Sequence, residues 1–287
     1  MLKTILVTGG AGFIGSHLCE RLLKEGNTVI SLDNYSTGSI ENHVKGVEYI
    51  KGNTKDIATL ISETPDLLYH LGEYARVEQS FADIKKVLDF NIIGTQAVLE
   101  FVRERGSKLV YAGSSTKFAD GGIGRDQSPY AWTKASNTEL VRNYAEWFGV
   151  EYAITYFYNA YGPRERADSL SGTLVAIFAD KYKKNIPFTI RKPGTQKRNF
   201  THVEDIVDGL VLVGQRGQGD EYGLGHPDSY SVLDVAELFG GDVEYLEERP
   251  GNRMNSQVDI KRATLELGWK PKRNLPDYIK SISAGGE

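Results

Sequence analysis

A single cysteine, Cys19, stands in 287 residues. No intramolecular disulfide can form, which excludes a disulfide-stapled scaffold and fits a reducing compartment. No apolar run approaches the ~18–20 residues that cross a bilayer. The apolar stretch within residues 1–8 is too short for a secretory leader and runs straight into glycines, so a cytoplasmic location is expected. No low-complexity tract or short-period repeat is present. A dominant charge is missing too: 34 Lys and Arg against 38 Asp and Glu leave a net charge of -4. That balance gives no reason to expect nucleic acid or an anionic membrane as partner. His70 has no cluster of cysteines or carboxylates around it, so no metal is expected. Cys19 reads as a small packing residue.

What is present begins at Thr8-Gly9-Gly10-Ala11-Gly12-Phe13-Ile14-Gly15-Ser16. Ile5-Leu6-Val7 before it reads as a buried strand, and Ile14, Leu18 and Leu22 after it recur at helical spacing. Gly9 or Gly10 allows the tight turn, Gly12 lets backbone approach a pyrophosphate, and Gly15 lets the helix pack closely. The N–H groups of that helix start favour an anion. Asp33 ends the next apolar run, where a carboxylate accepts from adenosine ribose hydroxyls and repels a 2′-phosphate. NAD is therefore expected over NADP. Taken alone, the glycines could be a turn in another α/β protein; strand, turn, helix and Asp33 together point to a dinucleotide.

Strands and helices then alternate: strands at 47–50, 67–71, 109–112 and 151–157, helices at about 91–105 and 130–148. This predicts an α/β fold with a Rossmann-type doubly wound parallel sheet, ligands binding at the strands' C-terminal edge. After Tyr161-Gly162-Pro163 the elements shorten. Helices are expected at about 172–184, 203–215, 231–239 and 260–267, and strands near 188–190, 221–224 and 243–246. The expected division is residues 1–162 as the NAD-binding domain, with a return near 200–215, and 163–287 as a smaller mixed α/β substrate lobe.

Gly113-Ser114-Ser115-Thr116 follows the strand 109–112, and sixteen residues after Ser114 comes Tyr130, with Lys134 on the same helix face at i+4. A free phenol, with pKa ~10, is a poor base at neutral pH. A nearby ammonium and a nicotinamide charge favour the phenolate, which could take a proton from a substrate hydroxyl. A strand-end serine could orient that hydroxyl. Alone, Tyr-x-x-x-Lys reads as a surface helical pair; after a dinucleotide fingerprint and a strand-end serine it reads as the catalytic set. Asn91 could be a helix cap or a cofactor-side residue, and Tyr158 could be core. The arginines of the later loops could clamp a diphosphate or be solvated charges.

With these residues in place the chain resembles, over nearly its whole length, the extended short-chain dehydrogenases/reductases, and among them the NAD-dependent nucleotide-sugar epimerase/dehydratase family. Thr8 to Gly15 matches the family's cofactor loop, with Gly9, Gly12, Phe13, Ile14 and Gly15 as contacts. Asp33 and Asn34 match its ribose site. Leu71 and Gly72 follow His70 at its fourth strand, and Asn91 to Thr95 matches a helix start. Ser114, Tyr130 and Lys134 fall on its catalytic triad. The resemblance implies that Asn53 and Thr54 lie on the adenine side, that Tyr158 contacts nicotinamide, and that Thr116, Asn159, Arg198 and Arg249 bind substrate, the two arginines at the diphosphate. It also implies a homodimer built through the helices at 91–105 and 130–148, with apolar contact from Trp147 and Phe148 unless these face the sheet.

Three departures from the family pattern stand out. The segment from Ser114 to Tyr130 is short, Asn53 replaces an aspartate facing adenine, and Asn252 replaces an aspartate on the nucleotide ribose. One absence separates reactions. The family's 4,6-dehydratases and decarboxylases carry an acid right after the strand-end hydroxyl, whereas Ser114 is followed by Ser115, Thr116 and Lys117. The expected activity is epimerisation of a nucleotide sugar, a UDP-sugar of the glucose/galactose type, at C4 through a 4-keto intermediate. A keto-sugar reductase or dehydrogenase, a dehydratase, and a non-enzymatic cofactor sensor are the alternatives.

Overall fold

Apolar residues on both sides of the first strand decide the layering. In the computed structural model, which describes residues 2–116, 124–167, 172–247 and 258–285, β1 spans Thr4–Thr8. Ile5 and Val7 join one buried cluster, Leu6 the other. A strand apolar on both faces must be covered on both, as helices cover a parallel sheet. β2 (Thr28–Asp33), β3 (Glu48–Lys51), β4 (Leu67–His70), β5 (Lys108–Ser114) and β6 (Tyr152–Phe157) follow. With the strand Gly219–Leu224 they form a seven-stranded sheet, ordered Gly219–Leu224, β6, β5, β4, β1, β2, β3. Every pairing in it is parallel. The chain runs outward from β1 to β3, then crosses back to β4 on β1's other side. That reversal opens the ligand crevice at the C-terminal ends of β1 and β4, where Thr8 and His70 stand in register.

Helices Phe13–Lys24 and Val203–Arg216 cover one face. Gly94–Arg105 and Pro129–Phe148 cover the other. Ser128 starts the last of these: its side chain accepts from Ala131 N and Pro129 occupies the first turn, where a missing N–H costs nothing. The helix expected from 91 begins as a π-helical turn, Leu88–Ile93, a wide turn of the kind found at functional sites.

The C-terminal half does not stay in its own lobe. Ile206, Leu210 and Val213 pack in the same cluster as Ile5 and Val7, and so do Leu267 and Trp269. The chain thus re-enters the sheet over Val203–Leu224 and again near 261–269, further than the return at 200–215 reaches. A separate cluster of Phe178, Phe188, Phe239, Leu275 and Ile279 forms the smaller lobe. Its helices are Leu174–Lys183, Val232–Phe239 and Leu275–Ser283, beside the parallel pair Phe188–Arg191 and Val243–Leu246. Among the described residues no helix is long and apolar enough to cross a membrane.

Candidate active site

The turn after β1 is made by Gly9, with φ +77, a conformation that glycine alone adopts cheaply. A Cβ on Gly9 would stand 2.9 Å from Gly72 Cα, so the loops after β1 and β4 touch backbone to backbone. A Cβ on Gly15 would overlap Gly9 O at 2.0 Å, and one on Gly12 would meet the same oxygen at 3.1 Å. Gly15 therefore packs the helix on the turn itself. Gly12 caps helix Phe13–Lys24 with no side-chain hydrogen bond, and no acid lies in its first turn. The helix's first N–H groups thus keep their pull on an anion.

A cavity lies over this turn. Gly9, Gly12, Phe13, Ile14, Gly15, Asp33, Asn34, Thr54, Leu71, Gly72, Tyr130 and Lys134 all line it. Asp33 is buried there, accepting from Ala11 N at 3.0 Å and Tyr35 N at 2.8 Å. Burial pushes its carboxyl up, against those two backbone donors. Asn53 stands behind Asn34, accepting from its Nδ2 at 3.0 Å. The glycine cradle, uncapped helix and cavity-lining carboxylate at the end of β2 fit a dinucleotide. Cys19 packs beneath Gly10, and burial raises its thiol to about 12. It is a packing residue, not a nucleophile.

At the other end, Tyr130 OH donates to Ser114 Oγ at 3.2 Å, and Thr116 Oγ1 donates to the same oxygen at 2.9 Å. Three hydroxyls from β5, its following turn and the Pro129–Phe148 helix thus meet in one cluster. Lys134 sits one turn below Tyr130, its ammonium bonded to Glu73 Oε2 and Ala112 O.

Glu73 is the residue that motif reading did not single out. It directly follows the cavity-lining Gly72, and its Oε1 accepts from Asn137 Nδ2 (2.8 Å), Thr95 Oγ1 (3.0 Å) and Tyr111 OH (3.2 Å). Burial alone would raise its carboxyl, but the Lys134 charge and the hydrogen bonds from Lys134 and Thr95 outweigh it and hold it below the ordinary range. The only advance signal is an acid at a strand's C-terminal edge, where ligands bind.

His70 continues the same network. Its Nδ1 is 2.7 Å from Thr8 Oγ1 and its Nε2 is 3.0 Å from Thr95 Oγ1. Gly72 N donates to Thr8 Oγ1 at 3.0 Å. One direction of donation satisfies all of them: Thr8 to His70, His70 to Thr95, Thr95 to Glu73. Burial lowers the imidazole to about 4, so it is neutral in that chain. Asn91 is neither cap nor cofactor contact. It is buried, accepts from Tyr74 N at 2.7 Å and donates to Tyr74 O and Thr133 Oγ1, bracing the loop that carries Glu73.

Other expected residues stand elsewhere. Tyr158 does not line the cavity. Its ring packs on Gly223 and Gly225, and its OH accepts from Asp259 N at 3.5 Å. β6 alternates, so Tyr156 and Tyr158 point into the core and Phe157 lines the cavity. Asn159 is exposed at φ +38 and donates to Asn199 O at 2.8 Å. That contact ties the end of β6 to the strand carrying Arg198, which pairs with Tyr230. Asn159 and Arg198 thus share a seam outside the cavity lining. Arg249 and Asn252 lie outside the described residues, as does the middle of the short 114–130 segment. Glu165, unmarked by any motif, lines the cavity with Oε1 accepting from Thr173 N at 3.2 Å. Burial pushes its carboxyl up to about 7.

Residues 5–225 match the family described as NAD dependent epimerase/dehydratase. The chain belongs to that family. An Arabidopsis thaliana relative, UDP-glucuronic acid decarboxylase 6, is 32% identical, covering 96% of this chain and 86% of its own. Among solved structures, the UDP-glucose 4-epimerase of Thermotoga maritima with UDP-glucose superposes with a TM-score of 0.90 at 26% identity, covering 98% and 97% of the two chains. The Thermus thermophilus UDP-glucose 4-epimerase complex with NAD gives 0.87 at 28% identity, covering 98% of each. This member of the epimerase/dehydratase family is an NAD-dependent enzyme acting on nucleotide sugars. Its family's relatives include both epimerases and decarboxylases, so membership leaves the reaction within the family to the site itself.

Proposed function

We propose that the enzyme epimerises a nucleotide-diphosphate sugar, UDP-linked, at C4. The observation that carries this is the hydroxyl cluster: Tyr130 OH on Ser114 Oγ at the end of β5, beside the glycine cradle. Gly9, Gly12 and Gly15, with Phe13 and Ile14, would hold the cofactor's pyrophosphate, Asp33 and Asn34 its adenosine ribose, Asn53 and Thr54 the adenine side, and Leu71, Gly72 and Lys134 the nicotinamide half. Tyr158 is left out, since its side chain is core. NAD supplies reversible hydride acceptance when bound. Tyr130 takes the proton of the sugar's C4 hydroxyl, and Ser114, backed by Thr116, orients that oxygen. Asn159 and Arg198, on their shared seam beyond the end of β6, and Arg249 would meet the substrate.

The absence of an acid directly after Ser114 favours epimerisation over decarboxylation or dehydration. Beyond the hydride that C4 would give to NAD and take back, an epimerase needs only proton exchange at one hydroxyl, for which Tyr130 and Ser114 suffice. The second reading, decarboxylation of UDP-glucuronic acid, is supported by the 32% identical relative that bears that name. Incubation with UDP-galactose and, separately, UDP-glucuronic acid, followed by proton NMR, separates the two. The expected result is interconversion of the first and no loss of carbon dioxide from the second. Tyr130→Phe combined with Ser114→Ala is expected to lower kcat by about 10²–10⁴-fold; survival of the interconversion within a few fold removes the assignment.

We further infer a homodimer. Trp147 (60% exposed) and Phe148 (53% exposed) do not face the sheet, and Trp132 is exposed on the same helix. Leu88 and Ile93 are exposed on the neighbouring π-helical turn. Exposed apolar side chains at both ends of this helix and on the turn beside it are what an isologous interface covers.

A further inference from the structure

Lys134 and Glu73 form a buried ion pair at the cavity wall, their side chains 6% and 3% exposed. The ammonium also bonds Ala112 O and lies 4.5 Å from the centre of the Tyr111 ring. On the carboxylate, Oε2 takes Lys134 and Oε1 takes Thr95, Tyr111 and Asn137. An acid so surrounded by donors is held ionised, because a neutral carboxyl would waste one acceptor site. The two full charges cancel where the chain places its catalytic tyrosine. The other titratable neighbours are His70, neutral through burial, and the phenol of Tyr111.

A cofactor that cycles between two redox states changes charge at the nicotinamide ring: positive when oxidised, neutral when reduced. A lysine alone beside that ring disfavours the oxidised form. We propose that Glu73 is a positioning and charge-balancing residue for the nicotinamide end: it pins Lys134 and cancels its charge, so the cavity wall holds both redox states of the cofactor. The proposal rests on the functional reading above only for placing the nicotinamide beside Tyr130 and Lys134. Asn91 and Asn137 belong to the support of this pair, since Asn137 bridges Glu73, Thr95 and the carbonyl of Asn91.

The test is binding of NAD⁺ and of NADH, each by calorimetry on cofactor-stripped full-length protein, with no sugar present. Glu73→Gln leaves an uncompensated positive charge and should weaken NAD⁺ relative to NADH by about tenfold. Lys134→Met leaves a negative charge and should shift the ratio by about tenfold the other way. The double variant is neutral again and should return to within about threefold of the wild-type ratio. Replacing both members of a buried pair by neutral isosteres is often tolerated where removing one is not. Lys134→Met therefore decides the matter if Glu73→Gln does not fold, and the double variant checks that the shift comes from charge. Equal weakening of both cofactor forms, with the ratio unmoved in each folded single variant, overturns the proposal and leaves Glu73 a structural brace. Absence of turnover with any UDP-sugar would remove the epimerase reading without touching this ratio.

Discussion

Burial has taken His70 out of the range where histidines ordinarily titrate. Unfolded, its imidazole protonates near 6.5; folded, it stays neutral until about pH 4, burial being the largest cause. Between those values the unfolded chain binds the extra proton, so stability falls as pH falls through that window. The full window is worth about 3 kcal/mol. In His70→Gln, whose amide can still span Thr8 and Thr95, that part of the acid loss should vanish. Urea unfolding of both proteins at pH 7 and pH 4 measures it: a parallel loss in wild type and variant would deny His70 this part. This residue was visible in the sequence as the histidine before Leu71 and Gly72 at the end of the fourth strand. Its partners were not, because Thr8 and Thr95 lie 62 and 25 residues away. Glu73 was hidden for the same reason. Its meaning comes from Lys134, 61 residues on, and no local periodicity points across that gap.

At the scale of an element, the turn from β1 into helix Phe13–Lys24 was the most legible part, because glycine spacing records backbone contacts. The structure adds which glycine does what: Gly9 makes the turn and meets Gly72, and Gly15 meets the turn. Not every glycine in such a chain is equally demanding. Gly106 ends the helix Gly94–Arg105 at φ +68, yet a Cβ there would touch nothing within 4 Å. Gly106→Ala should therefore cost only the strain of that cap, about 1 kcal/mol, with NAD binding unchanged. Gly15→Ala must push Gly9 O aside and should weaken NAD binding by at least about tenfold, since the cradle itself moves. Thermal unfolding and cofactor titration of the two variants check both; equal effects on binding would mean that the turn yields easily. Elements also set the limit of resemblance by motif. Tyr158 follows β6 and keeps that strand's alternation, so it faces core, while its neighbour Phe157 reaches the cavity.

For the whole molecule, the doubly wound sheet was readable because strand and helix signals alternate and parallel strands require crossovers. The seventh strand was not. Gly219–Leu224 shows as a short strand in the sequence, but nothing local says that it joins β6 rather than the smaller lobe. Assembly is a property of this scale too. If Trp147, Phe148 and Trp132 meet a second copy, sedimentation should give a dimer, and Trp147→Glu with Phe148→Glu should give monomers of unchanged secondary structure. A wild type that sediments as a monomer at micromolar concentration would remove that interface.

The late arrival of the seventh strand bears on how the chain is made. Synthesis delivers β1 to β6 first, yet one flank of β6 stays bare, and the apolar side under Ile5 and Val7 is covered only by helix Phe13–Lys24, until residues 203–224, and then 261–269, have left the ribosome. The nascent N-terminal half is thus a half-finished sheet with an open border for a large share of translation. Chaperone dependence during expression, and insolubility of any product stopped before residue 203, are what such an order of assembly entails.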